Sequence, residues 1–259
     1  MKPKYVHSTE CHNLTAPRQI VPMIIELLSP HSVVDVGCGI GTFLHVFMEN
    51  GIDDIFGIDG DWVNQELLAN NIPVEKFKPV NLENIVNLHR KFDVALCLEV
   101  AEHLPKESTV NLVTTLTQLS DIIVFSAAIP NQGGQNHINE QWPTYWEKIF
   151  AQYGYKMYDI LRHKLWNNSN VFWWYKQNIF IVAKEEISDS FNVLNSISEF
   201  PKDIVHPELF ESISSKNESL QRQIRTKESE LLRIQKGEKK LTFYIKLIIK
   251  YMLRKTHLR

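Results

Sequence analysis

The sequence predicts an α/β fold with a mostly parallel sheet, and three observations lead to this prediction. Short apolar segments alternate along the chain with segments whose apolar residues recur at helical spacing. Three glycines at alternating positions separate the first predicted strand from the helix that follows it. The second predicted strand ends in an acidic residue, Asp59. Strands that alternate with helices in this way form parallel sheets through right-handed crossovers.

Seven strands are predicted from β-branched and apolar segments that are bounded by turn residues. They cover residues 33–36, 55–58, 74–80, 92–98, 121–127, 155–161 and 179–183. Helical spacing predicts helices over residues 20–28, 42–50, 61–70, 106–119 and 143–153. Ser29 and Pro30 end the first helix, and Gly51 lies where a cap is expected at the end of the second.

The glycine-rich loop predicts a binding site. Gly37, Gly39 and Gly41 allow a sharp turn and a close approach of the backbone to a ligand. The free N–H groups of the next helix point at whatever lies over the loop, and Asp59 can accept hydrogen bonds from both hydroxyls of a ribose. This pattern predicts a nucleoside-containing ligand. The spacing G-x-G-x-G differs from the G-x-G-x-x-G of dinucleotide binders, which disfavours a nicotinamide dehydrogenase.

Together with Asp35, the glycines form D-x-G-x-G-x-G, which resembles motif I of the class I S-adenosylmethionine-dependent methyltransferases. The segment from Phe92 to Pro105 resembles the fourth-strand region of the same superfamily. The resemblance covers residues 21–184. It implies a Rossmann-like seven-stranded sheet with helices on both faces, an antiparallel final strand, and S-adenosylmethionine as cofactor.

The same resemblance implies the cofactor-binding residues. They are Asp35, Gly37, Cys38, Gly39, Gly41, Asp59, Asn81, Leu82 and Glu99. Many relatives carry an acid at the position of Asn81 to hold the adenine amino group. The side-chain carbonyl of Asn81 can still accept that hydrogen bond, but without a charge. Cys38 lies in the loop, where the simplest interpretation is a small packed residue.

A second cluster of chemically active residues follows the fourth strand. In a helical turn that starts at Glu99, Glu102 and His103 point the same way as Glu99, and His137 follows the fifth strand at the same sheet edge. These four residues are predicted ligands of a divalent metal such as Mg²⁺, which lowers the pKa of a substrate hydroxyl. The pattern E-x-x-E-H with a later histidine resembles the Hen1 family of RNA 2′-O-methyltransferases and the quinone O-methyltransferases. Without a metal, His103 or His137 is the predicted general base, with Glu102 beside them, and packing of His103 is the simpler alternative.

The segment 133–146 is rich in aromatic and polar residues and predicts an acceptor site. Asn136, Trp142 and Tyr145 are the predicted contacts, although the two aromatic residues would alternatively anchor the next helix. The segment resembles one in methyltransferases of bacterial surface-glycan synthesis. The predicted reaction is therefore O-methylation of a hydroxyl on a sugar, a glycan or a related small acceptor. A Hen1-like RNA ribose methyltransferase and a non-catalytic cofactor-binding scaffold are the alternatives.

Composition limits the location and the partners. The chain has 259 residues and a net charge of −2, which gives no general affinity for nucleic acid. Three cysteines suit a reducing compartment. The amino terminus has no apolar signal segment, and no apolar segment is long enough to span a bilayer. These features predict a cytoplasmic protein.

The chain is divided by a change of composition near Lys184. Residues 1–20 are a predicted arm, 21–184 the methyltransferase domain, 185–208 a linker and 209–259 a helical extension. The extension carries a sparse heptad seam, which predicts either a homodimer through a short coiled coil over residues 210–241 or a fraying helix. The apolar seam residues are Ile213, Leu220, Ile224, Leu231, Ile234 and Leu241, and Asn217, Lys227 and Glu238 interrupt them.

The last segment, residues 239–259, contains seven Lys and Arg and no Asp or Glu. Lys246, Lys250 and Arg254 recur every four residues, so they share one face of a predicted amphipathic helix. Such a helix favours peripheral contact with an anionic membrane, here at its inner face. Docking on the domain or on a second subunit is the alternative.

Overall fold

The structure, a computed structural model, describes residues 12–188, 202–237 and 243–246. They belong to two units, residues 1–206 and residues 207–259. Among the described residues, no helix has both the length and the apolar character needed to cross a bilayer.

The first unit is built on one seven-stranded sheet. Its strands are β1 (Ser32–Val36), β2 (Asp54–Asp59), β3 (Phe77–Pro79), β4 (Val94–Leu98), β5 (Ile122–Ser126), β6 (Tyr155–Tyr158) and β7 (Phe180–Lys184). Their order across the sheet is β3-β2-β1-β4-β5-β7-β6. Strands β1 to β5 are parallel, and β7 runs antiparallel to both β5 and β6. The predicted mostly parallel sheet with an antiparallel final strand is confirmed.

Helices cover both faces of this sheet. They are α1 (Pro17–Leu28), α2 (Thr42–Glu49), α3 (Gln65–Ala69), α4 (Thr109–Leu119), α5 (Pro143–Ala151), α6 (Leu161–Leu165), α7 (Trp173–Asn178) and α8 (Glu185–Ser188). Single 3₁₀ turns cover Val74–Lys76, Ala101–His103 and Lys106–Ser108. The second unit contains the 29-residue helix α9 (Pro207–Gln235).

Successive side chains of a strand point to opposite faces of the sheet, and helices bury both faces. Val33, for example, packs in a cluster with residues of α1 and α2, whereas Val34 packs in a second cluster with residues of α4 and α5. Strands β4, β5 and β7 alternate between the same two clusters. The central strands therefore contain few polar side chains, and the polar residues concentrate where the strands end.

Several predicted boundaries differ from the structure for local reasons. Helix α3 begins at Gln65 rather than near Asp61, because the Asn64 side chain accepts the N–H groups of Glu66 and Leu67 and caps the helix there. The third strand has only three residues, since Val74–Lys76 forms a 3₁₀ turn after Pro73. Helices α6 and α7 were not predicted from the sequence.

The carboxyl-terminal predictions are only partly covered by the described residues. Helix α9 contains the heptad seam from Ile213 to Ile234, whereas Glu238 and Leu241 lie outside the described residues. Within the basic segment 239–259, residues 243–246 alone are described, and they are helical. The predicted linker 185–208 begins with α8, and residues 189–201 lie outside the described part.

Candidate active site

A cleft of about 1340 Å³ opens beyond the carboxyl ends of β1, β2, β4 and β5. Open α/β sheets bind their ligands at this edge because the loops after neighbouring parallel strands meet there. Most of the site residues predicted from the sequence line it. They are Asp35, Gly37, Cys38, Gly39, Asp59, Asn81, Leu82, Glu99, Glu102, His103, Asn136 and His137.

The loop after β1 follows a backbone path that requires glycine. Gly37, Gly39 and Gly41 have φ angles of 85°, 53° and 80°. A Cβ atom on Gly37 would lie 2.3 Å from a methyl carbon of Val100, so a side chain there would also clash. Gly41 does not line the cleft; it precedes α2, whose first turn has no side-chain cap. The N–H groups of that turn therefore remain available to a ligand.

Asp59 joins the end of β2 to the glycine loop. Its Oδ2 accepts the N–H of Gly39 at 2.7 Å, and its Oδ1 accepts the N–H of Gly60 at 2.6 Å. Burial raises the pKa of Asp59, whereas these two hydrogen bonds lower it. Each carboxylate oxygen can accept a further hydrogen bond, so a ligand with two neighbouring hydroxyls fits this side chain.

Asp35 is the other buried acid at this end of the cleft. Its side chain lies near the end of β1 and is 3% exposed. Burial, and then the charge of Asp59, raise the pKa of Asp35 from 3.8 to about 7. Asp35 and Asp59 thus form a pair of carboxyls in which the ionisation of one opposes that of the other.

Three further predicted cofactor residues have clear local roles. Cys38 is buried, and burial raises the pKa of its thiol, which supports packing rather than nucleophilic chemistry. The Asn81 side-chain carbonyl already accepts the N–H of Glu83 at 3.0 Å, which leaves one lone pair for a ligand. Leu82 is 4% exposed and contributes apolar surface.

Glu99 occupies a left-handed backbone conformation, with φ 55°, directly after β4. Its carboxylate accepts hydrogen bonds from the Asn178 side chain at 3.1 Å and from the Gln132 side chain at 3.1 Å. Burial raises the pKa of Glu99, and these amide groups lower it. Because the following 3₁₀ turn begins only at Ala101, Glu99 does not share a helical turn with Glu102, and the structure does not bring it into the cluster described next.

Glu102, His103 and His137 form one compact group. Each offers a ligand atom, and these atoms all lie within 4.8 Å of one another. The two imidazole rings are 4.8 Å apart, edge to face. Glu102 is fully buried, and neither of its carboxyl oxygens has a hydrogen-bond partner among the described residues. The backbone N–H groups of Glu102 and Ala128 favour its charged form without reaching hydrogen-bonding geometry.

The protonation of this group follows from its burial. Burial, and then the charge of Glu99, raise the pKa of Glu102 well above its ordinary value. Burial, and then the neighbouring His137, lower the pKa of His103 to about 4. His103 is therefore neutral near pH 7. A neutral imidazole beside a buried carboxyl can accept a proton or bind a metal ion.

The charge of the cleft is one-sided. Among the described residues that line it, no Lys or Arg is present. The acidic residues and histidines of the lining are Asp35, Asp59, Asp61, Glu83, Glu99, Glu102, His12, His103 and His137. The described lining therefore offers carboxyls and imidazoles, but no fixed positive charge, to an incoming ligand.

Aromatic side chains form one wall of the cleft. Trp173, Trp174 and Tyr175 come from the first turn of α7, and Trp62 comes from the loop after β2. Trp142 and Tyr145 are not part of the lining. Tyr145 packs edge to face on Trp146, which supports its alternative role as an anchor of α5, whereas Trp142 directly precedes α5 and is 37% exposed.

Sequence reasoning missed the residues that hold the predicted site in place. Gln132 and Asn178 orient Glu99, and Glu140 accepts a hydrogen bond from the His137 ring. A signal for Asn178 was present, because it is a polar residue directly before a buried strand. Glu140 lies in the segment 133–146, for which the sequence predicts contact with the methyl acceptor and gives no sign of a contact with His137.

Comparison with known proteins agrees with this architecture. Residues 12–126 match the family described as methyltransferase domain. Comparison with curated proteins finds no match. Among solved structures, the sugar N-methyltransferase KedS8 from Streptoalloteichus has a TM-score of 0.52 and 12% identity, and the match covers 71% of this chain and 97% of that one.

Two further solved structures are similar at the same level. CalS10, an amino pentose methyltransferase from Micromonospora echinaspora, has a TM-score of 0.51 and 12% identity, and the match covers 71% of this chain and 99% of that one. DesVI from Streptomyces venezuelae has a TM-score of 0.52 and 12% identity, and the match covers 66% of this chain and 91% of that one. At this identity the likeness shows the fold. The family match covers the glycine loop and strands β1 to β5, which is less than half of the chain.

Proposed function

We propose that the protein methylates a hydroxyl of a sugar, a glycan or a related small uncharged acceptor. The observation that carries this proposal is the juxtaposition of the Glu102, His103 and His137 group with an aromatic wall in a cleft whose described lining has no Lys or Arg. The first feature suits activation of a hydroxyl, and the second suits stacking on a sugar ring.

The cofactor half of the cleft is proposed to extend from the glycine loop to Asn81. S-adenosylmethionine, when bound, supplies a methyl group on a positively charged sulfur. Gly37 and Gly39 let the backbone approach it, and Asp59 has one free lone pair on each oxygen for the two ribose hydroxyls. Carboxyls at this end, including Asp35, favour a positively charged ligand.

The acceptor half is proposed to lie between His103, His137 and Trp174. Here the chain must align an oxygen with the methyl group and receive its proton. The lowered pKa of His103 keeps its ring neutral, so that a lone pair can accept this proton. The imidazolium that results favours ionisation of the neighbouring Glu102 carboxyl, and the carboxylate stabilises the imidazolium in turn.

A divalent metal is a proposed addition to this site. Glu102, His103 and His137 fit it, because they converge within 4.8 Å and the Glu102 carboxyl is buried without a hydrogen-bond partner in the described structure. Bound there, an ion such as Mg²⁺ or Mn²⁺ would lower the pKa of a hydroxyl. Glu99 is left out of this ligand set, because side-chain amides of Gln132 and Asn178 already hold its carboxylate.

The charge of the cleft argues against the alternative RNA acceptor. RNA binding depends on Lys and Arg that neutralise phosphates, and the described lining offers acids instead. The basic residues of the chain concentrate in residues 239–259, most of which lie outside the described part. The structural neighbours described as a sugar N-methyltransferase and an amino pentose methyltransferase are compatible with a sugar acceptor.

A panel of acceptors tests the proposal. The purified full chain is incubated with methyl-labelled S-adenosylmethionine and a neutral oligosaccharide, an amino sugar or a single-stranded RNA, each with and without EDTA. We expect label on a sugar oxygen. Label on the RNA, on the amine alone, or on no acceptor in the panel would contradict the proposal. Loss of methyl transfer in EDTA and its recovery with Mn²⁺ would support the proposed metal site. Methyl transfer that is unchanged by EDTA would rule that site out.

A matched pair of variants links transfer to the cluster. Glu102→Gln is expected to reduce methyl transfer by about 100-fold or more while binding of S-adenosylhomocysteine is retained. Glu107→Gln changes an exposed carboxyl in the next turn. It is expected to leave methyl transfer and binding of S-adenosylhomocysteine unchanged.

Two proposed partners concern the extension. The seam of α9 supports the proposed homodimer, since its apolar residues, including Leu220 and Ile224, are solvent-exposed in the single chain. Peripheral membrane contact through residues 239–259 stays a prediction from the sequence.

A further inference from the structure

The loop after β5 is built around the imidazole of His137. Asn131, Gly133 and Asn136 all have positive φ angles, of 68°, 68° and 61°. Left-handed conformations cost energy for residues other than glycine, and they persist where the surroundings hold them. In this loop the carboxylate of Glu140 holds the first two of these residues, Asn131 and Gly133.

Glu140 accepts three hydrogen bonds from the loop. Its Oε2 accepts the N–H of Asn131 at 2.7 Å, and its Oε1 accepts the N–H of Gly133 at 2.7 Å. The same Oε1 lies 3.0 Å from Nδ1 of His137. Both side chains are largely buried, with 18% of Glu140 and 11% of His137 exposed. A carboxylate that already accepts two N–H groups is fixed in place and acts only as an acceptor.

This contact decides which ring nitrogen of His137 carries the proton. A carboxylate can only accept, so Nδ1 must be the donor, and in the neutral ring Nε2 is then the nitrogen that carries the lone pair. Gly134 covers the opposite edge of the ring. A Cβ atom on Gly134 would lie 2.2 Å from Nε2 of His137, so only glycine leaves room for the ring in this orientation.

We propose that Glu140 is a positioning residue that holds His137 as its Nδ1–H tautomer, with Nε2 free to act in the Glu102 and His103 group. The catalytic consequence rests on the proposed function, since Nε2 would serve either as base or as metal ligand. The tautomer itself does not rest on it. Carboxylates that orient an active imidazole in this way typically change activity or metal affinity by about 10- to 100-fold when they are removed.

The tautomer can be measured directly by NMR on the full chain. Long-range ¹H–¹⁵N spectra of ¹⁵N-histidine-labelled protein, without cofactor, metal or acceptor, distinguish a protonated from an unprotonated ring nitrogen. The His137 signals are assigned by their loss in His137→Gln. We expect the neutral ring to carry its proton on Nδ1, with Nε2 unprotonated. Protonation at Nε2 instead would overturn the proposal, whatever the methyl-transfer assays show.

Three variants separate positioning from a general effect on the loop. Glu140→Leu removes the acceptor, so the Nε2–H tautomer should appear and methyl transfer should fall by about 10- to 100-fold. Glu140→Gln keeps an acceptor oxygen and should retain more of the Nδ1–H form. Glu107→Leu, at an exposed carboxyl, should change neither. An unchanged tautomer in Glu140→Leu would show that Glu140 merely braces the loop. If that variant does not fold, the wild-type and Glu140→Gln spectra still decide the matter.

Discussion

Single buried carboxyls carry much of the chemistry of this site. Asp35, Glu99 and Glu102 all have raised pKa values, with burial as the largest cause in each case. Raised values of this kind cluster in functional clefts, because ligands and catalysis supply the interactions that the free protein lacks. Between about pH 4 and 7, the free protein therefore keeps a proton on Asp35 that the unfolded chain has lost.

This leads to a pH-dependent stability for which Asp35 is the cleanest probe. The unfolded chain releases the Asp35 proton near pH 3.8, whereas the folded protein keeps it up to about pH 7. The free energy of unfolding should therefore fall as the pH rises from about 4 to 7, by up to about 4 kcal/mol from this residue. Asp35→Asn should remove that part of the fall.

Chemical denaturation of both proteins between pH 4 and 8 measures the effect. The variant should gain stability relative to wild type up to about pH 7, and the difference should then level off. Asp53→Asn, an exposed acid before β2, is the matched control and should show no such trend. A constant difference between Asp35→Asn and wild type would contradict the assigned pKa.

Sequence patterns predicted the positions of the buried acids better than they predicted the hydrogen-bond partners of those acids. Asp35 and Asp59 follow strongly apolar segments, so their place at a sheet edge could be predicted. The contacts of Glu140 with Asn131 and Gly133 depend on a loop conformation with positive φ angles, and no periodicity encodes it. Glu99 was expected to share a turn with Glu102, and its left-handed conformation places it with Asn178 instead.

At the scale of elements, regular apolar patterns were informative and short mixed segments were not. Strands β1, β2, β4, β5 and β7 were predicted to within about two residues, because both of their faces are buried and their sequences are continuously apolar. Helices α6 and α7 were missed. They have only five and six residues, too few for a helical period to be recognised. Yet α7 supplies the aromatic wall and Asn178, so a short element carries much of the site.

Helix α9 makes a prediction at this scale. Ile213, Leu220, Ile224, Leu231 and Ile234 share a seam with Asn217, and an Asn at such a position favours a parallel two-stranded coiled coil. Ile224 is 55% exposed in the single chain. We expect the full chain to sediment as a dimer, and Ile224→Glu to shift it to monomer, because two carboxylates would face each other across the seam.

Arg225→Glu provides the control for that experiment. It places the same residue one position outside the seam, where it should leave the dimer intact. Analytical ultracentrifugation of all three proteins gives the answer. A wild-type monomer, or equal association of all three proteins, would show that the exposed seam does not pair with a second copy.

For the molecule as a whole, the distribution of charge matters more than its sum. The net charge is only −2, yet the described lining of the cleft is acidic and the segment 239–259 carries seven basic residues. The acidic lining disfavours a polyanionic acceptor in the cleft. The fold could be predicted from the sequence because it depends on regular strands and helices. The acceptor could not, since it depends on how several loops meet.

The most direct test of the proposed sugar methylation is mass spectrometry of surface glycans from cells that encode the chain and from a strain that lacks it. We predict that one glycan component is a methyl group lighter without the protein, that the wild-type gene restores it, and that the His137→Gln variant does not. Identical glycans in all four strains would contradict the proposed function.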